Sequence, residues 1–327
     1  MPARPRTIGL FQWRMDWADL WLSQCEGPLG FEPCPGGRSP GIELRPGDRS
    51  ADHLLLIGPP VSASGQPRLG YLARKRAKLS GRYDAERGAL AIEALRRPRE
   101  DLTMLVYEPP AAFSDAWFEM ARERCSAVYA PDERATHPVV LPATWSFDER
   151  LASLRGETPP PLRDRPLDVV CVTSGKSMFP GHDRRLAFLR DLRKAGVSLE
   201  LFGRGLPADL RGRGPVLSKA TVLRAAKLTL AIENEDTEDR YVSEKLWDPI
   251  VCGSVPLYSG GRAPETLGVG GSLVRVPDFG EAGVEAVRDA ASHAGEVWEA
   301  KRSSIMDARA RALGDLRLVS WAALTLG

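Results

Sequence analysis

Short apolar runs, each stopped by glycine, proline or an acid, alternate along this chain with longer stretches whose apolar positions fall three and four residues apart. The runs predict strands at 7–11, 42–44, 53–57, 102–107, 127–129 and 139–141 in the first half. In the second half they predict strands at 168–173, 199–202, 228–232, 255–258 and 272–276. The spaced stretches predict helices at about 114–124, 183–194 and 219–226, another opening at Val242 with Ser243 as its cap, and a largely helical 281–312 before an apolar tail at 316–326. In the helix at 183–194, Leu186, Phe188, Leu189 and Leu192 form one apolar face under a basic outer face. Strands alternating with helices mean parallel sheets, so the expected fold class is α/β.

Between the halves, SLRGETPPPLRDRP (153–166) has three successive prolines, flanking charges and no periodicity. It reads as a linker between an N-terminal domain, 1–152, and a C-terminal domain, 167–327. The length of 327 residues suits two cores better than one.

Composition narrows the function classes. With 43% hydrophobic and 27% charged residues the chain is globular, and a formal net charge of +2 excludes a dedicated nucleic-acid binder. No apolar run approaches the 18 residues of a membrane span, and the N-terminus reaches Arg14 and Asp16 before a signal-peptide core forms. The five cysteines are odd in number and lack CxxC spacing, so neither a disulfide framework nor a structural zinc site is indicated. A cytoplasmic, reducing location is expected.

The stretch 228–261, LTLAIENEDTEDRYVSEKLWDPIVCGSVPLYSGG, reads as a site. A buried strand emerges at Glu233-Asn234, an acidic turn follows, and Ser243-Glu244-Lys245 opens a helix with Leu246, Trp247, Ile250 and Val251 on one face. In an open parallel sheet, ligands bind beyond the carboxyl ends of strands, so Glu233, Asn234, Tyr241, Glu244 and Lys245 would face one crevice. A lysine in the first turn opposes the helix dipole unless an anion is there too, and the helix N-terminus itself attracts phosphate. Glu244 could accept from ribose hydroxyls. The plainer reading of Glu244 and Lys245 is an exposed helical pair.

The order E-N, then Y-V-S-E-K, then G-S-V-P-L-Y-S-G, resembles the donor-binding signature of the alpha-1,3-fucosyltransferases, glycosyltransferase family 10. The resemblance implies a GT-B fold of two Rossmann-like domains facing a cleft, with terminal helices that can cross back to the first domain. It also implies a GDP-fucose or related GDP-sugar donor, inversion, and Asn234, Tyr241, Glu244 and Lys245 as donor contacts. Ile232, where an aromatic is common, and Arg240, before the tyrosine, depart from the family pattern and leave the sugar open.

Other candidates lie outside that stretch. Glu108 ends the strand at 102–107 and is followed by two prolines, which hold it on a stiff turn. A Glu-Ser-Pro motif supplies the general base at this place in the resembling family, which makes Glu108 the candidate base, although a strand-end glutamate is commonly a surface residue. Arg185 stands in R-L-A-F-L-R-D-L, similar to the family segment whose arginine reaches the donor diphosphate, and Lys176 and His182 are weaker candidates for the same anion. Trp13, Trp17 and Trp21 recur every fourth residue; they read as core, or as an acceptor-sugar platform with Asp16 beside it. The basic run from Arg74 to Arg99 reads as a solvated helical face.

The leading expectation is a metal-independent, inverting glycosyltransferase that uses no cofactor and transfers fucose or a related sugar to a hydroxyl of a glycan or other acceptor. The alternatives are a transferase using another nucleotide sugar and a non-catalytic nucleotide-sugar binder.

Overall fold

A computed structural model describes residues 6–12, 26–27, 30–31, 42–58, 82–147, 151–177 and 180–327. The chain divides into two compact units, one of 1–141 with 318–327 and one of 142–317.

In the first unit, β1 (Arg6–Gln12) is followed by the short antiparallel pair β2 (Glu26–Gly27) and β3 (Gly30–Phe31), then β4 (Ile42–Pro46) and β5 (His53–Ile57). Next come α1 (Arg82–Glu93), β6 (Leu102–Leu105), α2 (Asp115–Arg124), β7 (Ala127–Ala130) and β8 (His137–Pro138). Six strands form one parallel sheet in the order β4-β1-β5-β6-β7-β8. Successive side chains of a strand point to opposite faces, and β5 shows both faces covered. Leu54 and Leu56 enter a core with Trp117, Phe118 and Ala121 of α2, while Leu55 and Ile57 enter a second core with Ile8, Leu10 and Leu105.

The second unit begins with α3 (Leu151–Gly156) and continues β9 (Leu167–Ser174), α4 (Pro180–Lys194), β10 (Glu200–Arg204), α5 (Lys219–Arg224) and β11 (Ala226–Ile232). It ends with α6 (Glu244–Cys252), β12 (Val255–Ser259), α7 (Ala263–Thr266), β13 (Val274–Arg275), α8 (Glu281–Ser292) and α9 (Ala294–Ala312). Its parallel sheet runs β10-β9-β11-β12-β13. One core joins Val169, Cys171, Leu228, Leu230 and Leu257 of the sheet to Phe188 and Leu189 of α4 and Trp298 of α9.

Three expectations change. The strand expected at 139–141 does not form, and His137–Pro138 pairs with β7 instead. The helix expected over 281–312 is two helices, interrupted at His293. The segment 153–166, expected as a linker, is part of the second unit, because Arg165 nails it down. This arginine is 1% exposed, donates to the carbonyls of Pro160 (2.9 Å), Ala226 (2.7 Å) and Cys252 (3.1 Å), and lies over the Trp298 ring. The apolar tail forms α10 (Leu318–Leu326) and belongs to the first unit, where Leu318, Val319, Ala322, Ala323 and Leu326 cover the core around Ile8 and Leu55.

Candidate active site

In the second sheet β10 lies on one side of β9 and β11 on the other, so the connections leaving β9 and those leaving β10 run in opposite directions. Such a reversal opens a crevice at the carboxyl ends of the two central strands. Those ends are Ser174 and Glu233-Asn234. Arg185, 3% exposed on α4, spans them, donating through Nη1 to Asn234 Oδ1 (2.8 Å) and through Nη2 to the Ser174 carbonyl (3.1 Å). Its Nε is buried without a hydrogen-bond partner. Gly181, at the start of α4, lets the two loops meet: a Cβ there would stand 2.1 Å from the Asn234 carbonyl oxygen.

Ser243 caps α6 at the edge of this crevice, its Oγ accepting from Lys245 N at 3.3 Å. Lys245 Nζ reaches Glu244 Oε1 (3.0 Å), Ser243 Oγ (3.2 Å) and Glu233 Oε2 (3.8 Å). Burial disfavours charge on both Glu244 and Lys245, but each other's field overcomes it. Glu244, helped also by Lys219, is held at about 2, and the Lys245 ammonium is pushed up by Glu244 and then Glu233. At neutral pH Glu244 is therefore an acceptor and Lys245 a cation.

A third cation stands close by. Lys219, the first residue of α5, pairs with the fully buried Asp248 of α6 and donates to Ser146 Oγ at 3.1 Å. Ser146 also donates to Asp248 through its backbone N (2.7 Å) and its Oγ (2.6 Å). Arg185, Lys219 and Lys245 line one cavity of about 20 Å³, enough for a single water, with Thr173 and Thr229 in its wall. At the far end of α6, Arg309 donates to the Val251 carbonyl, Arg165 to that of Cys252 and Trp298 to that of Gly253. The carbonyls that a helix end leaves orphaned are thus satisfied, and the helix that presents Lys245 is fixed at both ends.

Two residues expected to face the crevice are buried. Tyr241 and Glu233 are each 2% exposed. Glu233 accepts from Ser243 N (2.9 Å) and Ser243 Oγ (2.6 Å), and burial pushes its carboxyl up, with Lys245 opposing. Asn234, Glu244 and Lys245 are half-buried at the crevice. His182 is buried, and burial first, then Arg185, Lys245 and Lys176, lower its pKa from the ordinary imidazole value.

In the first unit Glu108 is exposed just beyond β6. A 3-10 turn at Pro110–Ala112 follows it. Arg134 pins that turn, donating to the carbonyls of Pro110 (2.9 Å) and Phe113 (3.2 Å) while paired with Asp132 and Asp115. Trp13, Asp16, Trp17 and Trp21 lie outside the described residues, as does most of the basic run before Arg82. Sequence reasoning missed Lys219, Asp248, Ser146 and Arg134; no local motif marks any of them.

Residues 169–287 match the model of glycosyltransferase family 10 (fucosyltransferase), C-terminal part. No curated protein sequence matches the chain. Among solved structures, Anabaena HepE in complex with UDP and glucose superposes with a TM-score of 0.57 at 16% identity, covering 98% of this chain and 99% of that one. An alpha-glucosyltransferase in complex with UDP and a mismatched 13-mer DNA gives 0.53 at 8% identity over 93% and 95%. An alpha1,3-fucosyltransferase superposes with a TM-score of 0.44 at 15% identity over 92% of this chain and 81% of that one. The first two likenesses show the fold, which is GT-B.

Proposed function

We propose that this glycosyltransferase, whose residues 169–287 carry a family 10 fucosyltransferase domain, moves fucose or a related sugar from a GDP donor to an acceptor hydroxyl with inversion. The observation that carries the reading is Arg185 bridging Ser174 and Asn234 at the strand-order reversal, with Lys245 at a helix N-terminus beside it. Two cations and a helix N-terminus suit a nucleoside diphosphate. Glu244, kept ionised, accepts from the vicinal ribose hydroxyls.

Glu108 takes the acceptor's hydroxyl proton as the oxygen attacks the anomeric carbon, and the bond to the diphosphate breaks on the opposite face. Arg185 and Lys245 balance the charge that grows on the departing GDP. With these cations in place the reaction needs no divalent ion, and the acceptor is a hydroxyl of a glycan or related molecule.

Binding of GDP, UDP and their sugars, followed by release of the nucleoside diphosphate when hydroxyl acceptors are added in chelating buffer, tests this. GDP binding with acceptor-dependent release from a GDP-sugar supports it. Binding restricted to uridine nucleotides, or turnover that stops with chelator and returns with one divalent ion, overturns the corresponding part.

A further inference from the structure

A carboxylate sealed inside a protein costs stability unless its partners satisfy it, and Glu233 is sealed thoroughly. Its side chain has no exposed surface, Tyr258 OH donates to Oε1 at 3.4 Å, and the turn after β12 closes over it. A Cβ on Gly260 would stand 2.5 Å from Tyr258 OH and 2.8 Å from Glu233 Cγ, so the closure depends on glycine there. No ribose or phosphate could reach this group without opening that turn.

The hydrogen bonds say what it does instead. Ser243 gives its hydroxyl proton to Glu233 Oε2 (2.6 Å), and its Oγ lone pairs then accept from Lys245 N (3.3 Å) and Lys245 Nζ (3.2 Å). An oxygen whose proton were aimed at Lys245 could not accept there. The ammonium has three N–H donors; among the described residues Ser243 Oγ and Glu244 Oε1 take two, which leaves one for a ligand. We infer that Glu233 is a positioning residue: through Ser243 it orients the Lys245 ammonium for the donor's diphosphate and does not itself touch the donor. Without the carboxylate, Lys245 loses an ordered acceptor and its second counter-charge, 3.8 Å away, and binding must then pay the entropy of ordering a long side chain.

This inference rests on the donor site proposed above. The test is a double-mutant cycle on the full chain, with Glu233→Gln, Lys245→Ala and the double variant, reading the Kd for GDP and for guanosine. Glu233→Gln is expected to raise the Kd for GDP about tenfold and to leave that for guanosine within about twofold. In the Lys245→Ala background it should add less than about twofold. Equal losses for GDP in both backgrounds, or an equal loss for guanosine, overturn the inference while the donor site stands. A parent chain that binds no nucleoside diphosphate overturns both. Should Glu233→Gln fail to fold, Ser243→Ala cuts the same chain of bonds at the hydroxyl and is expected to give the same coupling; additivity there overturns it as well.

Discussion

Arg185 Nη1 donates to Asn234 Oδ1 at 2.8 Å across 49 residues of sequence, which ties the helix after the first strand of the second unit to the loop after the third. Arg185→Ala removes that tie and a cation together, and Lys245→Ala removes a cation alone. Each is expected to weaken GDP binding by about 1.5 to 3 kcal/mol, the range for charge-assisted contacts, by calorimetry. Arg185→Lys should recover less than half of the loss, since an ammonium cannot fork to Asn234 and Ser174 together. Unchanged affinity in both alanine variants would move the diphosphate elsewhere.

Glu108→Gln separates binding from chemistry. Glutamine keeps the size and cannot take a proton, so GDP binding should match the parent while transfer falls by about 10² to 10⁴. Steady-state release of GDP checks this; turnover within a few-fold of the parent would assign the base to another carboxylate, with Asp16 the next to test.

Arg165→Met tests the anchoring of the segment once expected to be loose. The variant keeps the length over Trp298 but abandons three carbonyls, two of them in contacts that are fully buried. Each unsatisfied buried group costs about 1 to 3 kcal/mol, so urea unfolding should show a loss of at least about 2 kcal/mol. A loss under about 1 kcal/mol would mean that water replaces the guanidinium there.

His53 gives the first unit a pH dependence of definite sign. Burial first, and then Arg6, hold its pKa down from 6.5 to about 4, and the ring fits the neutral tautomer, with Nδ1 facing Arg6 (3.5 Å) and Nε2 facing Thr103 Oγ1 (2.9 Å). A lowered native pKa means that the unfolded chain binds more protons between these values. The stabilisation is therefore complete above about pH 6.5 and lost as the pH falls towards 4, by up to about 3 kcal/mol. Thermal midpoints of His53→Gln against the parent across this window should show a shallower fall; parallel curves would exclude His53 as the source.

Strands were legible in the sequence where burial on both faces makes a continuous apolar run, as at 53–57 and 255–258. They were not legible where the partner alone decides, as at His137–Pro138, a two-residue pairing set by Tyr129 and Ala130. Asn234, Glu244 and Lys245 could be read because they follow one another in a fixed order along one stretch. Glu233 could be read as a polar group at a strand end, but its inward direction depends on Tyr258 and Gly260, 25 and 27 positions later. Ser146, Lys219 and Asp248 come from three distant segments, and each alone looks like an ordinary surface residue.

The last helix has a consequence for how the chain is made. Ile8, Leu10, Leu55, Ile57, Leu105 and Leu141 are synthesised before the segment 142–317, yet residues that cover them, Leu318 to Leu326, are synthesised after it. The unit translated first is thus completed only after the second, which has all its own strands before Leu318 leaves the ribosome. A nascent or truncated chain ending near Arg317 would carry a finished second unit and a first unit whose core around Ile8 and Leu55 lacks the side chains of Leu318, Val319, Ala322, Ala323 and Leu326, an exposed apolar surface suited to chaperones or to aggregation.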